Sequence, residues 1–129
     1  MSHNIKIFAF PVLWALFIAF LCGIPGKDIP HISFLELLSF DKFVHATLFF
    51  ILVWSIYKAV NKTNAYKQAL IYALSFSIPY GGVLEILQQE LFDERTADLF
   101  DFIANSFGSI VASIYIVSKK KKRKKINVK

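Results

Sequence analysis

PYGGVLEILQQELFDERTADLFDFIAN, residues 79–105, sits between two apolar runs that are each long enough to cross a bilayer. It gathers Glu85, Gln88, Gln89, Arg95, Asp98, Asp101 and Asn105 within a few turns of chain. Ionisable and amide groups at membrane depth must find partners or give up their charge, so an apolar chain keeps few of them without a use. The stretch therefore marks both a reversal of direction at a membrane surface and the candidate polar pocket.

The rest of the composition agrees with a membrane as solvent. Of 129 residues, 56% are hydrophobic, with 14 Phe and a mean hydropathy of +0.52, too apolar for an ordinary soluble domain of this length. Four spans at about 20 residues each leave only short loops and tails. The predicted class is all-α: an integral membrane bundle of four transmembrane helices, with a short interfacial segment between helices 1 and 2. Residues 1–118 form the transmembrane domain and residues 119–129 a basic tail.

Working outward, the fourth span is expected over residues 98–117. Asp98, Asp101 and Asn105 stand at i, i+3 and i+7 on it, one stripe about 10 Å long. Asp98 fits a helix N-cap, whereas Asp101 and Asn105 are expected deeper, where capping no longer explains them. Ala104, Gly108 and Ala112 repeat in four-residue steps below the stripe and let another helix approach closely, within the chain or in a homo-oligomer. The third span is expected over residues 65–87. Pro79 with Gly81 and Gly82 is predicted to kink or break it before Glu85. Glu85 then lies at the negative end of the helix dipole and needs a cation, for which Arg95 is the natural partner; a purely structural pair between them is the plain alternative.

The second span is expected to open at Ser39 or Asp41 as N-cap, with residues 43–60 as its apolar body. Asp41 and His45, four apart, share a face, where a carboxylate sets the tautomer of a histidine serving as base or ligand. Residues 31–40 are too short to cross and read as the interfacial segment. GIPGKDIP, residues 23–30, is turn chemistry, and residues 5–22 form a plain first span. Cys22, the single cysteine, excludes an internal disulfide and a four-cysteine metal site; Leu21 before it argues against lipoprotein cleavage.

Charge sets the topology. The net charge of +6 and the run KKKKRKK, residues 119–125, would point to nucleic acid in a soluble protein. Here the run follows an apolar span, so it reads as a topology anchor meeting membrane lipids, with no nucleic-acid partner. All but Lys27, Lys42 and Arg95 of the 15 basic residues fall on the side of the termini and the second loop, and all nine acids fall on the other. By the positive-inside rule both termini are cytoplasmic and the polar pocket faces outward.

Asp41, His45, Glu85, Asp98 and Asp101 are oxygen and nitrogen donors suited to a divalent metal, with Asp98, Asp101 and His45 as the metal-ligand candidates, although their spacing matches no specific metal motif. In an enzyme reading, a hydrolase or transferase acting on a headgroup, His45 or Glu85 is the general base and Arg95 the clamp for a phosphate or carboxylate. A small multidrug exporter has similar length, but it needs a carboxylate within its first span, and residues 5–22 hold none.

At these residues the chain resembles the VanZ-like family of small membrane proteins. The matching pieces are Ile24-Pro25-Gly26, Asp41-Lys42 with His45, Glu85 with Gln88 or Gln89, and Arg95, Asp98, Asp101, Asn105 and Gly108; Phe49 and Phe50 fit the family's aromatic stretch, while Ala46 departs from the aromatic residue common after its histidine. The resemblance spans residues 5–117. It implies a multi-pass protein of the bacterial inner membrane whose shared polar residues form one site binding a lipid-linked or polar envelope component. It also implies a link to low-level resistance to the glycopeptide teicoplanin, and names no reaction.

Overall fold

The computed structural model describes residues 2–24, 34–62, 65–91 and 99–126, and these form four helices. They are α1 (Ser2–Cys22), α2 (Phe34–Val60), α3 (Tyr66–Leu91) and α4 (Leu99–Ile126). The all-helical class follows from apolar runs that leave backbone groups no partner but their own turn.

α2 is the spine of the bundle. It packs along α4 over the longest interface and against α3, while α1 lies on α2 and touches α3 only briefly. Two apolar clusters hold these contacts. Val53, Tyr57, Ala69, Ala73, Ala112 and Ile116 join α2, α3 and α4 toward the lysine-bearing end. Ile18, Cys22, Phe49, Leu52 and Leu84 join α1, α2 and α3 toward the other. Side-chain hydrogen bonds to backbone carbonyls add to the seating of α1: Trp14 Nε1 donates to Leu48 at 3.0 Å and Tyr80 Oη to Ala15 at 2.7 Å.

Gly108 explains how α4 approaches α2 so closely. A Cβ at that position would lie 2.0 Å from the Ala46 carbonyl oxygen, so only glycine fits. Ala104 and Ala112, on the same stripe, are also buried. The small-residue face is used inside the chain.

The surface is inverted relative to a soluble protein. Phe10, Leu13, Phe20, Phe43, Ile71 and Phe107 are exposed, whereas Ser55, Ser77, Glu85, Gln88, Asn105 and Ser109 are buried. Among the described residues, three helical stretches are long and apolar enough to cross a membrane: Phe40–Val60, Tyr66–Leu91 and Leu99–Ile126; Lys6–Cys22 is a shorter apolar helix. Exposed apolar faces around buried polar groups, on helices of this length, define a multi-pass membrane-embedded protein.

Three sequence expectations need correction. Residues 34–40 are no separate interfacial element but the opening turns of α2, which runs on without a break; residues 31–33 lie outside the described residues. Nothing in FLELLSF stops a helix, since it holds neither Gly nor Pro, so positions 39 and 41 fall inside α2 rather than at its N-terminus. Pro79 does not break α3, which continues through Gly81 and Gly82 to Leu91. A membrane helix tolerates proline where neighbouring helices pack around it. α4 also carries the lysine run as helix to Ile126, well past residue 117, because lysine and arginine are good helix formers and complement the negative C-terminal dipole.

Candidate functional site

α2, α3 and α4 each bring polar side chains to the end of the bundle away from the lysine run. On α2, Asp41 and His45 stack one turn apart with Lys42 beside them; α4 brings Asp101 and Asn105, one turn apart; α3 brings Glu85. Residues up to 60 positions apart in the chain so meet in one network.

Asn105 is its buried centre. The residue is 2% exposed, and its Nδ2 lies 3.5 Å from Glu85 Oε1 while its Oδ1 lies 3.0 Å from His45 Nδ1. With the amide nitrogen turned to a carboxylate, the oxygen is left to accept from His45 Nδ1–H. With Nδ1 engaged by Asn105, the ring presents Nε2 to the carboxylates. Nε2 faces Asp41 Oδ1 at 3.6 Å and Asp101 Oδ2 at 3.9 Å. His45 thus sits between Asn105 on one ring nitrogen and the carboxylates of Asp41 and Asp101 on the other.

Lys42 supplies the cation. Its Nζ donates to Asp101 Oδ1 and lies 3.5 Å from Asp41 Oδ2, neutralising carboxylates that a lipid environment would otherwise penalise. Asp101 falls in the first turn of α4, so the helix dipole also favours its charge. The side chains of His45 and Asp101 are 12% and 14% exposed and that of Asp41 is 45% exposed, so the network opens through Asp41. One donor atom from each of Asp41, His45 and Asp101 falls within 4.8 Å of the others, a spacing that a single cation spans.

The other candidates divide. Gln88 is buried, but its Nε2 donates to the Cys22 carbonyl at 2.9 Å, closing the C-terminus of α1. Gln89 is exposed. Arg95 and Asp98 lie outside the described residues, as does the expected Glu85–Arg95 pair. Lys42 entered the sequence reading only within the Asp41-Lys42 match, and its place as the network's cation comes from the structure. The signal was there: it is one of three cations on the acid-bearing side, and it adjoins Asp41 at the mouth of an apolar helix.

No protein-family model, curated protein or solved structure matches the chain. What stands on geometry is a class: a multi-pass helical membrane protein with a hydrogen-bonded ionic network at one end of its bundle.

Proposed function

We propose that the chain is a VanZ-like protein of the bacterial cytoplasmic membrane, and that the outward-facing pocket around Asp41, Lys42, His45 and Asp101 binds a polar or lipid-linked envelope component. The observation that carries the reading is the convergence of Asp41, Lys42, His45, Glu85, Asp101 and Asn105 from three helices. These are the residues on which the family resemblance rests, and packing α2 against α4 alone did not require any of them to be polar. In this reading α1 is the fourth span: the helix has 21 residues, of which Lys6–Cys22 form its apolar part. The lysine-bearing ends are cytoplasmic by the positive-inside rule.

The pocket offers one ammonium flanked by two carboxylates, so it recognises a ligand carrying both signs of charge or several hydroxyls. Capture of such a component at the outer surface changes what a glycopeptide drug reaches. The test is teicoplanin and vancomycin susceptibility of a sensitive host expressing the wild-type chain, Glu85→Gln or Asp101→Asn at matched membrane levels. Protection by the wild type and its loss in both variants is the expected result; no protection by any version removes the drug phenotype from the reading.

A second reading rests on the donor triad of Asp41, His45 and Asp101. A divalent metal held there makes the chain a metal-dependent hydrolase or transferase acting on a headgroup at the outer interface. The metal content of purified protein, and its thermal stability before and after chelation, decide this: a metal-free protein indifferent to chelator excludes it.

A further inference from the structure

The opposite end of the bundle holds a second site. Side chains of α2 and α4 line a cleft of about 470 Å³ there. Its floor is Phe50, Tyr57 and Ile116, and Trp54, Asn61 and Tyr115 form its walls. Lys58, Lys119, Lys120 and Arg123 stand at its rim. The helical continuation of α4 past the apolar run makes this possible, since it puts Lys119 and Arg123 one turn apart on one face.

The cations are positioned rather than splayed. Lys58 Nζ sits 5.3 Å from the Trp54 ring centroid, Lys119 Nζ 5.4 Å from that of Tyr115 and Lys120 Nζ 5.4 Å from that of Tyr66. Lys119 also donates to Tyr115 Oη at 3.2 Å. Among the described residues no acidic side chain pairs with them, and the sequence has no Asp or Glu between Asp41 and Glu85 or after Asp101. Along α2, Asp41 and Lys58 are separated by roughly 25 Å of helix. The described part of the chain offers these cations no carboxylate, which leaves them open to an external anion.

We propose that this cleft binds the phosphate headgroup of one anionic glycerophospholipid. Trp54, Tyr57, Tyr66 and Tyr115 put the cleft at the depth where aromatic side chains mark the membrane–water interface, which is where lipid phosphates lie. The apolar floor takes the glycerol and upper acyl chain, and the rim takes the phosphate. Such a site holds one lipid at a fixed place, which a disordered basic tail does not. It does not depend on what the polar network at the other end binds.

The test is native mass spectrometry of the full chain released from zwitterionic micelles. The protein is titrated with phosphatidylglycerol, with phosphatidylcholine of the same acyl chains, or with inorganic phosphate. One phosphatidylglycerol per chain, retained at concentrations where neither other probe is retained, is the expected result. The double variant Lys119→Gln/Arg123→Gln is expected to bind about 30-fold more weakly, roughly fivefold for each rim charge removed. Lys122→Gln/Lys125→Gln removes the same charge from residues that do not line the cleft, and keeps wild-type affinity; circular dichroism checks that both variants keep α4 helical. Equal weakening in the two double variants, or lipid adducts that accumulate without saturating, would show diffuse attraction and overturn the proposal. Retention of inorganic phosphate as strong as that of the lipid would overturn it in favour of a free-phosphate site.

Discussion

Asn105 has one amide and two neighbours, and its value to the site depends on serving both. Asn105→Leu keeps the volume but removes a donor from buried Glu85 and the acceptor from His45. The expected cost is about 1–3 kcal/mol in unfolding of the purified protein. Glu85→Gln combined with Asn105→Leu should cost less than the sum of the single changes, because the second removes a bond that the first has already weakened. Strict additivity would show that the 3.5 Å contact carries no coupling. Lys42 makes a sharper test, because it competes for Asp101 with any metal. In Lys42→Met that carboxylate, largely shielded and stripped of its ammonium, is expected to destabilise the protein by about 3–5 kcal/mol without metal. If the triad is a cation site, the same variant binds a divalent ion more tightly than wild type in equilibrium dialysis, and the ion restores its stability. No binding by either protein ends the metal reading. The sequence made the acids, His45 and Asn105 legible, since polar residues in an apolar chain announce themselves. Lys42 was less so, because one lysine at a helix mouth looks like a snorkelling anchor until its partner on α4 is in view.

At the scale of the helix, the glycines grade the packing. A Cβ on Gly108 would meet the Ala46 backbone at 2.0 Å, one on Gly81 would meet the Phe49 ring at 3.2 Å and Asn105 Cβ at 3.3 Å, and one on Gly82 would touch Phe102 at 3.4 Å. Backbone does not yield as a ring does, so Gly108→Ala must push α4 off α2. It is expected to cost about 3 kcal/mol or more, the upper end for overpacking. Gly81→Ala should cost about 1 kcal/mol and disturb Asn105, whereas Gly82→Ala should be neutral or stabilise by up to about 1 kcal/mol through helix propensity. Thermal unfolding in micelles ranks the three, and any other order refutes this packing of α2, α3 and α4. The apolar runs were legible in the sequence because a lipid solvent demands them. Helix ends were not: FLELLSF joins α2, Pro79 sits inside α3 and the lysines extend α4, each decided by helix continuity and tertiary packing, which local turn signals do not report.

For the whole molecule, the question that orders everything else is which end faces out. The two ends differ in kind. One carries the ionic network with the acids Asp41, Glu85, Glu90 and Asp101, and the other carries Lys58, Lys62, Lys67 and the α4 run. Cationic loops translocate poorly and meet anionic lipid on the cytoplasmic face, so the network end is expected outside. Single cysteines report this directly once native Cys22 is changed to serine, a small change at a buried site. Glu90→Cys and Lys62→Cys are suitable probes because both positions are exposed, near opposite ends of α3. In intact cells a membrane-impermeant maleimide should label Glu90→Cys and leave Lys62→Cys unmodified until the membrane is opened. The reverse pattern would put the polar network in the cytoplasm, where a drug that never crosses the membrane does not reach it, and the envelope-binding proposal would fall. The lipid cleft would then face outward, but its chemistry, four cations over an aromatic-walled pocket, would be unchanged. The labelling experiment thus separates the two proposals: it decides the first and leaves the second to its own test.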